Sequence, residues 1–258
     1  MADERKHYSY EVYAREETAR SFESQRFGGP IGSYLRERQQ QHLARWLGDL
    51  AGKTVLDVGA GTGRAAIPLA AAGARVVAAD ASEAMLTEAR RRAKVAGAEL
   101  TFKRCDAMAL PFDDRAFETV LCLRVLLHVR DWRQALDEAC RCAGRTLVLD
   151  FPPRWALASL QVPARAIASL FRPAVQRFRL FSLRQVRRRL ARHGFAVRRV
   201  DRLWVLPIAL HKLIGSRRFT LAAERFLSWF GLRRLFGAPV TVLAHRDAGG
   251  AARAEGER

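Results

Sequence analysis

The stretch Val55-Leu56-Asp57-Val58-Gly59-Ala60-Gly61-Thr62-Gly63-Arg64 is where residue types and spacing first suggest chemistry. A short apolar strand runs into a Gly-x-Gly-x-Gly turn, and a helix leaves it. Glycines at such a turn let a ligand approach the backbone closely. The spacing differs from the Gly-x-Gly-x-x-Gly of dinucleotide binders. Asp57 precedes the turn, beside amides that the turn exposes. That pairing suits a ligand carrying both an ammonium and a carboxylate, and it would repel a diphosphate. Asp80 ends the next strand, where it can accept hydrogen bonds from ribose hydroxyls at the switch point of an open sheet. Asp106 follows the third strand and can accept from the exocyclic amine of an adenine. One such acid alone reads as a solvated loop residue. Three at successive strand ends form a set.

These acids need a sheet to hold them. Strands are expected at 54–58, 75–79, 100–104, 117–123 and 146–150. Helices are expected between them, at 64–72, 83–96 and 132–142. Ser82 can cap the second of these and Gly97 can end it. Pro68 sits awkwardly in the first. Strand and helix alternating at this spacing imply right-handed crossovers and a parallel sheet. Residues 1–30, with Tyr8, Tyr10 and Tyr13, read as helix and loop ending at Gly28-Gly29-Pro30, and a helix is expected over 33–50. Beyond residue 181, Ser-Leu-Arg-Gln from Ser182 is a capping box, with Gly194 as the stop. Sixth and seventh strands are expected at 195–200 and 240–245. About 39 residues separate them, and Ala223, Phe226, Leu227 and Phe230 recur there at helical spacing.

The segments VLDVGAGTGR, VVAADAS, CDAMALPFDDRAFETVLC and RVLLHV together resemble the class I S-adenosylmethionine-dependent methyltransferases. Within that class they are most similar to the small-molecule group that includes the ubiquinone and menaquinone enzymes. The resemblance covers roughly the 75 residues from Val55 to Val129. It implies a Rossmann-like α/β/α sandwich with a mostly parallel seven-stranded sheet, an antiparallel seventh strand and helical cap insertions. It implies S-adenosyl-L-methionine as cofactor. Gly59, Gly61 and Gly63 would line its methionine portion, Asp80 would hold the ribose, and Asp106 and Ala107 would meet the adenine. Leu123 would flank the cofactor; Asp57, Ala60, Ala81 and Met85 complete the set. Tyr10-Glu11-x-x-Ala14 looks like the N-terminal helix that covers the bound cofactor. The expected organisation is a helical cap at 1–50, a binding core at 51–150, the remainder of the fold with two insertions at 151–246, and a disordered tail at 247–258.

His128 is the one candidate base, just after the fourth strand, with an ordinary pKa suited to proton removal near neutral pH. The favoured reading is a packed group at a helix start. Methyl transfer to an acidic phenol or an activated carbon needs mainly alignment. Asp150-Phe151-Pro152-Pro153 resembles the acid-Pro-Pro-aromatic motif of amino-directed nucleic-acid methyltransferases. It follows the fifth strand instead of the fourth, and Phe151 intervenes.

The chain has 258 residues and a net charge of +19. From Phe151 onward, 22 Arg and Lys face 5 Asp and Glu, so the surplus lies outside the cofactor motifs. Such a basic half suits an anionic substrate, a membrane surface or nucleic acid, although the preference for Arg over Lys also fits GC-rich coding. No secretory leader or apolar stretch of membrane-spanning length is evident, so a cytoplasmic protein is expected, with contact to the inner membrane face open. Cys105, Cys122, Cys140 and Cys142 read as reduced thiols, and no metal site is expected. The two insertions leave the carboxyl ends of strands. Their aromatics, Trp155, Phe171, Phe178, Phe226 and Trp229 among them, read as the lining of a cap or as its own core. A basic-rimmed apolar cap suits a hydrophobic or amphipathic small-molecule acceptor, methylated at oxygen or carbon. The alternative is an RNA methyltransferase using the basic half. A nicotinamide-dependent oxidoreductase is disfavoured by the glycine spacing, and a non-catalytic binding protein by the intact motif. Oligomeric state is left open.

Overall fold

A computed structural model of the chain describes residues 16–156 and 179–247. Two helices, α1 (Glu16–Phe27) and α2 (Gly29–Leu47), precede the sheet. Then β1 (Thr54–Val58), α3 (Ala66–Ala71), β2 (Arg75–Asp80), α4 (Glu83–Ala96), β3 (Thr101–Arg104), β4 (Phe117–Cys122), α5 (Trp132–Cys142) and β5 (Ala143–Phe151) follow. After the fifth strand come α6 (Leu183–Arg192), β6 (Phe195–Trp204), three helices α7 (Ile208–Ile214), α8 (Arg217–Trp229) and α9 (Leu232–Phe236), and β7 (Ala238–Arg246).

The seven strands form one sheet in the order β3-β2-β1-β4-β5-β7-β6. The first five run parallel, and β7 pairs antiparallel with both β5 and β6. Thus β6 points the same way as β5. Alternate residues face opposite sides, as a pleated strand requires. Leu56, Val120 and Leu147 pack under α5 and α6, while Val55, Leu121 and Val148 pack under α2 and α3. Both faces are therefore covered, which is why the central strands carry near-continuous apolar runs.

Local chemistry explains most boundaries. The Ser82 hydroxyl accepts from the Met85 N–H at 3.2 Å, and Gly97 closes the helix at φ +62°. Asp131 caps α5, and Ser182 caps α6 through the Gln185 N–H at 3.1 Å. The helix expected from residue 33 starts at Gly29, because Pro30 is tolerated in a first turn whose amides have no partner. Pro68 causes no distortion for the same reason: α3 begins only at Ala66, so Pro68 lies in its first turn. The sixth strand extends to Trp204, which shortens the following insertion to residues 205–237.

The excursion after β5 is pinned at its neck. Phe181 is fully buried between Trp132 and Phe151, and its N–H donates to the Pro152 carbonyl at 2.9 Å. Tyr8, Tyr10, Tyr13, Phe171, Phe178 and residues 248–258 lie outside the described residues. Asp247 does not belong with the tail expected from that position, since its N–H donates to the Gly194 carbonyl at 2.8 Å.

Candidate functional site

A cavity of about 670 Å³ opens at the carboxyl ends of β1, β2, β3 and β4. That volume lies within the range of small-molecule sites. Its floor is the turn after β1. Gly59 has φ +65°, and a Cβ there would meet Val125 Cγ2 at 2.4 Å. Gly61 has φ +55°, and a Cβ there would meet nothing within 4 Å. A side chain at position 61 would therefore stand in open space beside the cavity, which is the property of a cradle for a ligand. Gly63 differs. It does not line the cavity, and a Cβ there would meet Ile67 Cδ1 at 2.8 Å and Ala89 Cβ at 3.4 Å. Its smallness lets the turn pack on α3 and α4. Asp57, Gly59, Ala60 and Gly61 line one part of the cavity, and Asp80, Ala81 and Met85 another. Asp106, Ala107, Leu123 and His128 also line it.

The three acids sit in different electrostatic settings. Asp57 is buried at the end of β1, and burial pushes its pKa up to about 7 against the lowering effect of Arg64. The Asp80 carboxylate accepts from the Gly61 N–H and the Ser82 N–H, each at 2.8 Å. It thereby braces the turn and the start of α4 together, and burial raises its pKa as well. Asp106 accepts from the Met108 N–H at 2.8 Å, which holds its loop. Carboxylate oxygens have further lone pairs, so these bonds leave Asp80 and Asp106 capacity for a ligand.

His128 lies in the turn between β4 and α5, half-buried, with its N–H donating to the Val125 carbonyl at 2.8 Å. Cys105 also borders the cavity, and burial raises its thiol to about 11, so it is no nucleophile at neutral pH.

Several lining residues are not apparent from the sequence motifs. Glu23 reaches in from α1. Its Oε1 accepts from the Thr62 hydroxyl at 2.8 Å and lies 3.3 Å from Arg92 Nη1. Its Oε2 is buried with no hydrogen-bond partner among the described residues. An unsatisfied buried carboxylate oxygen in a cavity wall is costly and suits a cationic ligand group. Arg64 lies over the Phe27 ring at 4.3 Å, and burial lowers its pKa to about 10. Arg124, at φ +64°, follows Leu123, and its N–H donates to Asp150 Oδ1 at 2.5 Å. Arg64, Leu123 and Arg124 separate the main cavity from a smaller one of about 80 Å³ under α2. Asp150, the acid of the Asp-Phe-Pro-Pro run, is buried at this partition.

No residue of the 205–237 insertion lines the main cavity. Trp155, Phe226 and Trp229 are exposed, so they form neither a lining nor a core. The topology puts the insertion on the expected sheet edge but out beyond β7, at the far end from β2.

Residues 55–144 match a family model described as a methyltransferase domain. A demethylmenaquinone methyltransferase of Thermus thermophilus is 44% identical over 108 residues, which are 40% of this chain and 49% of that protein. One of Clavibacter sepedonicus is 44% identical over 115 residues, 42% of this chain and 46% of the other. The chain thus spans about half the length of the curated relatives it matches. Among solved structures, a magnesium protoporphyrin IX methyltransferase of Synechocystis with bound S-adenosylhomocysteine superposes with a TM-score of 0.61 at 26% identity, covering 84% of this chain and 85% of that one.

Proposed function

We propose that this chain, which carries a class I methyltransferase domain at residues 55–144 and its Rossmann-like fold, binds S-adenosyl-L-methionine in the main cavity and methylates a small-molecule acceptor. The observation that carries the reading is the cavity itself, in which Asp57, Asp80 and Asp106 line the wall around the glycine turn. The cofactor, when bound, supplies an electrophilic methyl group on a sulfonium. The chain's own residues supply position. Gly59, Ala60 and Gly61 give backbone room for the aminoacyl end, with Asp57 and Glu23 as acceptors for its ammonium. Asp80 takes the ribose hydroxyls, with Ala81 beside it. Asp106 and Ala107 take the adenine, between Met85 and Leu123. Tyr10, outside the described residues, would belong to the covering N-terminal segment. Gly63 lets the turn pack closely on α3 and α4.

The acceptor is read as apolar or amphipathic, with transfer to oxygen or carbon along an in-line path. The names of the relatives make a demethylated naphthoquinol the first compound to assay. His128 is the cavity's candidate for taking the acceptor proton. With such a substrate, His128→Ala should lower kcat roughly a hundredfold or more at pH 7 while S-adenosylhomocysteine affinity holds. Unchanged turnover would remove the base and leave alignment as the catalytic device.

Asp57 gives the cavity a pH dependence. Its folded-state pKa is raised from 3.8 to about 7, so the folded chain keeps a proton that the unfolded chain has lost. Between those values this group makes stability fall as pH rises. Ligand binding should run the other way. An ammonium prefers the ionised carboxylate, so S-adenosylhomocysteine affinity should rise as pH passes through about 7. Calorimetry from pH 6 to 8, in buffers of different ionisation enthalpy, should show proton release on binding at the lower end. A flat profile would mean that Asp57 does not meet the ammonium.

A further inference from the structure

Helix α8 is built inside out. Its buried residues are polar: Thr220 and Glu224, four apart, face His211 of α7. Its aromatic side chains face solvent: Phe226 is 58% exposed, Phe230 just after the helix 61% and Trp229 82%. A helix that covers a core does the opposite. Neighbouring α7 and α9 continue the pattern with Leu213 at 83% and Leu235 at 61%. Among the described residues, the large apolar side chains exposed elsewhere are only Val95, Trp155 and Val200. The ring of Phe230 lies 5.0 Å from that of Phe226 and 5.4 Å from that of Trp229, which makes a surface cluster.

The exposed charged side chains on these three helices all carry one sign. Lys212, Arg218, Arg225 and Arg234 are exposed on the same helices. Glu224 is the sole acid between residues 205 and 237, and it is buried under the Val205 and Leu206 amides. Contiguous exposed apolar surface marks an interaction site. Glu37 of α2, an exposed carboxylate beside α8, is engaged by Arg217 at 3.1 Å, and the surplus of basic side chains selects an anionic partner. Nucleic acid would match the charge but leave Leu213 and Leu235 in water. A bilayer with anionic headgroups satisfies both parts: ring and leucine side chains enter the interfacial layer and arginines meet phosphates. No helix among the described residues is long and apolar enough to cross a membrane, so the contact is with its surface.

We propose that the α7–α9 insertion is a docking surface for an anionic lipid bilayer. The insertion leaves the carboxyl end of β6, on the same sheet edge as the cavity. Docking would turn that edge toward the lipid. Resting on the methyl-transfer reading, an apolar acceptor would then reach the cavity from the bilayer.

The full chain should co-sediment with vesicles of mixed phosphatidylglycerol and phosphatidylcholine, and far less with phosphatidylcholine alone. Added salt should weaken retention. Trp229→Ser with Phe230→Ser should lower the partition coefficient by at least about tenfold. Arg218→Glu with Arg234→Glu should do the same for anionic vesicles only. None of these residues lines the cavity, so S-adenosylhomocysteine binding should be unchanged in both variants. If that binding is absent from the parent protein, the methyl-transfer reading fails and the docking result still stands alone. Absence of vesicle binding, or equal partition of the aromatic variant, overturns the proposal. So does a dimer in vesicle-free sedimentation that the aromatic variant dissociates, or tighter retention on RNA than on vesicles at the same salt.

Discussion

Asp80→Ala should weaken S-adenosylhomocysteine binding by about a hundredfold or more, the largest affinity loss of any single change in the cavity. The side chain has two tasks. It ties the Gly61 and Ser82 amides together at 2.8 Å each, so the glycine turn and the start of α4 keep one geometry. Its remaining lone pairs would accept from the ribose hydroxyls. A hydrogen bond to a charged group contributes about 1.5–3 kcal/mol, and the truncation removes several together. Glu23→Gln provides a comparison. An amide keeps an acceptor for the Thr62 hydroxyl but loses the charge facing the ammonium, so a smaller loss, about tenfold, is expected. Isothermal calorimetry measures both, with thermal unfolding as the check on folding. Parent-like affinity in a folded Asp80→Ala protein would sink the ribose assignment.

Glu224→Ala should produce the largest stability loss, about 3–5 kcal/mol, as expected when three donors lose one shared buried acceptor at about 1–3 kcal/mol each. Glu224 accepts from the Val205 N–H at 2.8 Å and the Leu206 N–H at 2.9 Å, and its Oε1 lies 3.0 Å from His211 Nε2. His211 is completely buried, and its Nδ1 lies 3.0 Å from the Thr220 hydroxyl. The simplest assignment has Nε2–H donating to Glu224 and Nδ1 accepting from Thr220. Truncation leaves two amides and an imidazole N–H buried without acceptors. The Trp204 ring lies 4.5 Å from the His211 ring, so tryptophan fluorescence in a urea titration should report the loss. Because the insertion does not line the cavity, S-adenosylhomocysteine affinity should persist at low denaturant. A loss below about 1 kcal/mol would mean that the cluster is relaxed or hydrated instead of a clamp.

This cluster explains why the sequence misleads over the insertion. Ala223, Phe226, Leu227 and Phe230 have the spacing of a core-facing stripe, and periodicity alone assigns them inward. Periodicity reports which residues share a helix face, not which face is buried. The face of α8 is decided by Glu224, whose carboxylate satisfies the amides at the end of β6 and a histidine one helix away. That polar anchor turns the aromatics outward.

Where chemistry is local, the sequence suffices. The strand–turn–helix at Asp57 to Arg64, the Ser82 cap, the Gly97 stop and the placement of Asp80 and Asp106 at strand ends all depend on residues within a few positions of each other. The parallel core follows from the regular alternation of strand and helix. Only the tertiary structure decides the rest, because it depends on contacts between distant segments. Glu23 meets Thr62 across 39 positions, Arg124 meets Asp150 across 26, and Gly63 proves to be a packing residue only when Ile67 and Ala89 close on it. The acids around the cavity were legible because each stands at or beside the carboxyl end of its own strand. The charge and aromatics of the insertion were legible as composition. Their outward direction was set by a single buried carboxylate, which no local pattern reveals.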